Sequence, residues 1–325
     1  MSEVATGPAA VSVVLATSSA QAVRRTLGDY RAQSVAARLE VVLVAPSAEL
    51  ARIAPEGASE LARLVRVAAD EPFELPAARA RGILAASAPW VFVGETHSFP
   101  LPAMMERLLA AAAETAAGER PRCLMPVIGN ANPSGAASWA SLLIDYGAWG
   151  PGSAESDPVR PPIYNALLDR AEVVRRGADL VHALTPHDES VFPLPPGAPS
   201  RFVPAAEILH LNIERWRDFA ASKRSSGLAN GASRAGRWRW PRRLAYAAAA
   251  PLIAALLFSR YLAATRRVRR ARPLPAGIAP WLVLGAVARA AGEAQGYLGA
   301  APAKIESRVE HYEIFKADFV AGWRQ

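Results

Sequence analysis

Short uninterrupted apolar runs alternate with stretches of helical character through the N-terminal third, and this alternation constrains the fold more than any other feature. The runs are residues 11–17, 39–44, 64–67 and 90–93. Continuous apolarity at such lengths marks strands buried on both faces of a parallel sheet; a half-exposed strand alternates instead. Helices are expected between them. One covers about residues 20–32, with Ser18 and Ser19 available as caps, a second begins near residue 48 after Pro46 and Ser47 break the strand, and a third covers 77–87. Strand–helix alternation implies βαβ units joined by right-handed crossovers. The expected class is α/β, a mostly parallel sheet flanked by helices.

The fourth run ends in Gly94-Glu95-Thr96-His97. Ligands of open α/β sheets bind just beyond the carboxyl ends of the strands. In an extended segment Glu95 and His97 point to the same side, and a carboxylate and an imidazole there can share a divalent cation. The same residues also describe a plain helix entrance with both groups solvated. No glycine-rich loop follows the first strand, which excludes a dinucleotide fingerprint and a Walker A loop. The single Cys123 excludes an internal disulfide and a cysteine-based zinc site, and fits a reducing compartment. The N-terminus, acidic at Glu3, runs directly into a strand and is expected to carry no signal peptide.

Further along, residues 123–128 form another strand candidate, 138–149 a helix and an aromatic-rich loop, and 167–176 a helix closed by Gly177. The formal charge is +8, with the arginines concentrated between residues 234 and 272 beside apolar runs at 244–258 and 278–288. Each run is shorter than the roughly 20 residues that span a bilayer. Trp238, Trp240 and the arginines around them are the residue types that anchor helices at an anionic interface. Helices lying in or dipping into one leaflet, on the cytosolic side, are therefore expected; a transmembrane hairpin and a soluble helical subdomain are the alternatives. No nucleic-acid-binding motif accompanies the charge. From residue 303 a polar tail of mixed charge reads as a surface helix. The expected division is residues 1–225 and 226–325.

The order of these segments resembles the family-2 glycosyltransferases of GT-A fold, over most of the chain. The first run resembles the family's opening strand, and Thr26, Leu27, Gln33 and Ser34 resemble the helix after it. Ala78-Arg79-Ala80-Arg81-Gly82-Ile83 resembles the "ARNRGI" helix, and residues 90–97 fall where the family carries its Asp-x-Asp metal motif. Residues 162–165, the Gly197, Pro204, His210 spacing and the Gly292–Gly299 ending match family patterns in turn.

What the resemblance implies is a GT-A-like domain with a C-terminal membrane-associated helical region. It would transfer a sugar, with inversion, from a nucleotide-diphosphate donor to a lipid-linked or polysaccharide acceptor at the cytoplasmic face of the cell membrane. Glu95, His97 and His210 would hold Mn²⁺ or Mg²⁺. Thr17, Ser47, Arg79, Arg81 and Glu95 would contact the nucleotide sugar, and Asp188 or Glu189 would be the general base. Trp139, Trp149 and Tyr164 are candidates to stack on a sugar ring, with core packing the expectation for any one of them. Expected partners are an anionic membrane surface and either a second copy or polysaccharide-assembly proteins.

The chain also departs from the pattern. Ala45-Pro46-Ser47 stands where the family places an acid, Ala80 replaces its asparagine, and Pro193, Pro195 and Pro196 break the helix expected after the base. These departures favour the alternative, a catalytically inactive scaffold in a polysaccharide or glycolipid assembly system. A nucleotidyltransferase, the third option, needs a glycine-rich basic loop near the first strand.

Overall fold

The computed structural model describes residues 8–53, 60–114, 120–154, 161–185, 193–299, 303–320 and 323. The expected alternation is present: β1 Val11–Ala16, α1 Ala20–Arg31, β2 Leu39–Ala45, α2 Ser47–Arg52, β3 Arg63–Ala68, α3 Leu75–Ala85 and β4 Trp90–Val93. Ser19 caps α1 by accepting from the Ala22 amide. Next come β5 Ser98–Pro100, α4 Met104–Ala113, β6 Cys123–Asn130, α5 Ala136–Tyr146, β7 Leu167–Asp169, α6 Arg170–Val174 and α7 Leu180–Ala183. The chain continues with β8 Ser200–His210, α8 Trp216–Ala235, α9 Trp240–Ala248, α10 Ala250–Ala271, α11 Ile278–Tyr297 and α12 Ala303–Ile314.

One expected helix, over residues 167–176, is split. Leu167 and Leu168 are strand, because they fill the gap between β4 and β6 in antiparallel register with both. Asp169 then caps α6 through the Ala171 and Glu172 amides.

The eight strands form one sheet in the order β3-β2-β1-β4-β7-β6-β8-β5. The β3-β2-β1-β4 half is parallel throughout, as expected, while β7 and β5 run antiparallel to their neighbours. The result is a mixed sheet flanked by helices, consistent with a GT-A-like fold. Side chains alternate between two cores. Val13, Leu15, Leu43 and Phe92 face α1, α4 and α5, whereas Val14, Val42, Val44, Val91 and Val93 face α3. Gly82 is what lets α3 lie close, since a Cβ there would stand 2.5 Å from Val14 Cγ1 and 2.9 Å from Val44 Cγ2.

The C-terminal helices join the first of these cores through Tyr261, Val268, Ile278, Leu282 and Ala286. The boundary expected at residue 225 falls inside α8. That helix and α11 pack backbone against backbone: a Cβ on Gly231 would lie 2.3 Å from the Glu293 carbonyl oxygen, and one on Gly292 would lie 2.1 Å from that of Arg224. Small residues at helical spacing give this approach, so the second apolar run turns one face to the protein core. Among the described residues no single helix is long and apolar enough to cross a membrane; α9 and α10, which meet at 63°, pass only as a bent pair.

Candidate functional site

The turn after β4 is held by both neighbours. The Gly94 amide donates to the Val14 carbonyl of β1, and β5 pairs antiparallel with β8 so that Ser98 lies opposite His210. That pairing brings Glu95, His97 and His210 together, all buried, with one ligand-type atom from each within 4.8 Å of the others. The two imidazole Nε2 atoms are 3.1 Å apart, and each lies 3.7 Å from Glu95 Oε2.

Glu95 is set by three donors. Asn165 Nδ2 gives at 2.6 Å, Tyr146 OH reaches both carboxylate oxygens at 3.0 and 3.1 Å, and Ser98 Oγ gives at 3.1 Å. Asn165 reaches from a backbone of positive φ, 57°. Burial and the nearby charge of Glu313 push the Glu95 carboxyl above its usual range, against the pull of Lys316, Arg79 and the Asn165 hydrogen bond. Both histidines are pushed well below the ordinary imidazole range, by burial first and by Lys316 next. His210 Nδ1 faces Asn212 Oδ1 at 2.9 Å, while Asn212 Nδ2 donates to Asn130 Oδ1 and to the His210 carbonyl. Asn212 Oδ1 therefore accepts, Nδ1 of His210 carries its hydrogen, and Nε2 presents a lone pair.

A cavity of about 300 Å³ opens beside this cluster, lined by Arg79, Glu95, Tyr146, Tyr164, Glu313 and Lys316 among others. It lies within the size range of small-molecule sites. Arg79 is 3% exposed, its guanidinium stacks on the Tyr164 ring at 3.6 Å, and its Nε and Nη1 have no hydrogen-bond partner. Buried guanidinium nitrogens without partners are costly, and a diphosphate or carboxylate supplies the acceptors they lack. Asp145, on another wall, is engaged by the buried ammonium of Lys223.

Three of the remaining expected residues, Thr17, Ser47 and Arg81, do not line this cavity. Thr17 is buried and turns back on Ser19, accepting from its amide and donating to its carbonyl, both at 3.0 Å. Ser47 is the exposed first residue of α2. Arg81 pairs with Asp70 at 2.9 Å. Asp188 and Glu189 lie outside the described residues. Of the three aromatics, Trp139 is buried in the core and donates to the Pro133 carbonyl, whereas Trp149 and Tyr164 line the cavity.

Sequence reasoning missed Tyr146, Glu313 and Lys316. The tail expected as a surface helix instead returns to the site. Glu310 on α12 accepts from the Leu75 amide at the start of α3 at 2.8 Å. Lys316, on the 3-10 turn Lys316–Phe319, places Nζ 2.9 Å from His97 Nε2 and 3.2 Å from His210 Nε2.

No family model matches the chain, and no curated protein matches it by sequence. Among solved structures it is similar to the crystal structure of S. aureus TarS, with a TM-score of 0.46 at 12% identity over 67% of this chain and 39% of that one. It is similar to TarS 1-349 in complex with UDP-GlcNAc, with a TM-score of 0.42 at 12% identity over 67% of this chain and 65% of that one. For TarS 1-349 in complex with UDP the TM-score is 0.45 at 11% identity, covering 96% of this chain and 94% of that one. The chain thus spans less than two thirds of the first two.

Proposed function

We propose that the chain is a glycosyltransferase that moves a sugar from a nucleotide-diphosphate donor, with inversion, to a lipid-linked or polysaccharide acceptor at the cytoplasmic face of the cell membrane. The observation that carries this reading is Arg79. It sits in the helix that resembles the family's "ARNRGI" segment, and its side chain, with Nε and Nη1 unpartnered, lines the same cavity as Glu95. A diphosphate placed there would supply acceptors for Nε and Nη1, which have none.

A departing nucleoside diphosphate develops negative charge, and the site must meet it with positive charge. Glu95, His97 and His210 form a donor set suited to a divalent ion, which would neutralise the leaving group if bound. Lys316 and Arg79 offer the same charge without one. Asp188 or Glu189 is the proposed base for the acceptor hydroxyl. Membrane attachment is supported by an exposed apolar face on α9, α10 and α11, where Trp240, Leu252, Leu256, Val283 and Val287 are each at least 47% exposed beside the arginine-rich segment.

Titration calorimetry with UDP and with GDP tests the proposal. The chain is expected to bind at least one of them, and Arg79→Leu to weaken that binding at least tenfold. Failure of the unsubstituted chain to bind any nucleoside diphosphate would leave the scaffold reading, which the alanine-proline-serine turn after β2 also favours.

A further inference from the structure

We infer that Lys316, rather than a divalent metal ion, supplies the positive charge at the end of β4, and that its ammonium joins Arg79 in receiving the donor's diphosphate. The second half rests on the function proposed above; the first half stands on geometry alone.

Lys316 is 5% exposed. Its Nζ lies 2.9 Å from His97 Nε2, 3.2 Å from His210 Nε2, and 3.3 and 3.4 Å from the two carboxylate oxygens of Glu313. An ammonium has three hydrogens to give; the Nε2 lone pair of His210 and the Glu313 carboxylate take two of them. An imidazole nitrogen has one lone pair, so a pair that accepts from lysine is not offered to a metal. For His210 the tautomer is fixed by Asn212, whose own orientation is fixed by Asn130. Lys316 and a divalent ion therefore compete for the His210 lone pair.

Charge points the same way. Glu95 and Glu313 already face Lys316 and Arg79 around one cavity. A divalent ion would enter against an ammonium that Glu313 holds in place, a like-charge contact in a region of low dielectric. An entering diphosphate would take the place of Glu313 on Lys316 and meet Arg79, whose Nε and Nη1 are unpaired. The lysine is not a spectator salt bridge on the surface: its partners are two histidines that are themselves 5% and 1% exposed.

The experiment uses the full chain with Lys316→Met and Lys316→Gln, two neutral replacements of similar length, each checked for an unchanged far-ultraviolet circular dichroism spectrum. Mn²⁺ binding is read by electron paramagnetic resonance. Both variants are expected to bind Mn²⁺ at least a hundredfold more tightly than the unsubstituted chain, and a second substitution, His210→Ala, is expected to abolish the gain. UDP binding by the unsubstituted chain is expected to be insensitive to EDTA, to fall at least tenfold in Lys316→Met, and to return when Mn²⁺ is added to that variant. Tight Mn²⁺ binding by the unsubstituted chain, or equal binding by all three proteins, would overturn the assignment. A gain of Mn²⁺ binding with no nucleoside diphosphate bound by any of them would uphold the lysine's place at the cluster and overturn its role toward diphosphate together with the proposed function.

Discussion

His97 and His210 stand nitrogen to nitrogen at 3.1 Å in a buried site, and this fixes their behaviour with pH. Burial and the neighbouring Lys316 keep both imidazoles neutral in the folded chain. In the unfolded chain they protonate below about pH 6.5. The unfolded state then binds more protons than the folded one, so stability falls as pH drops below that value, by up to about 1.4 kcal/mol per pH unit for each group. Glu95, whose carboxyl is held high by burial, acts in the opposite sense, so the useful comparison is with His97→Gln, which leaves Glu95 in place. Urea denaturation between about pH 7.5 and 5.5 is expected to show a loss of stability smaller by about 1 kcal/mol in that variant. Glu95 and His97 were legible in the sequence because they follow a strand whose apolar run reveals where it ends, and Arg79 only through the resemblance of residues 78–83 to the "ARNRGI" helix. Tyr146 was visible only as part of an aromatic-rich loop. Lys316 carried no signal, being one lysine in a charged tail that lies 219 residues from His97.

At the scale of elements, the contact between α8 and α11 separates two kinds of glycine. On α8, Gly231 faces the Glu293 carbonyl oxygen at 2.3 Å from where a Cβ would stand, so Gly231→Ala forces the helices apart. The expected cost is about 2–3 kcal/mol, read as a lower urea midpoint. Gly28 lies mid-helix in α1 with nothing within 4 Å of its ideal Cβ, and Gly28→Ala is expected to stabilise by about 0.5–1 kcal/mol in the same assay. The parallel half of the sheet could be read from the sequence because its strands are continuous apolar runs. Strand β7 could not: its three residues, Leu167–Asp169, run straight into α6, and only their fit between β4 and β6 makes them strand. The partner of the Gly292–Gly299 segment could not be read from the sequence, since Gly227 and Gly231 lie in a helix of polar composition.

For the whole molecule, the arginine-rich helices pack on the core shared with α1, α4 and α5, and Arg289 of α11 lines the same cavity as Glu95. Leu252, 73% exposed, and Leu256, 50% exposed, head the apolar face of α10. Flotation with liposomes containing anionic lipid is expected to carry the chain, and Leu252→Asp with Leu256→Asp to leave it in the soluble fraction without a change in melting temperature. The tail that closes the site is tied down at several points. Glu310 meets α3, and Arg25 of α1 lies over both Phe99 and Trp323, at 4.0 and 4.6 Å from their ring centroids. This long-range closure also has a temporal side. His210 leaves the ribosome 106 residues before Lys316 does, a gap of about 5–20 seconds at ordinary rates of translation. Throughout that interval the chain holds Glu95, His97 and His210 without their lysine, so the cluster is the last part of the site to be completed.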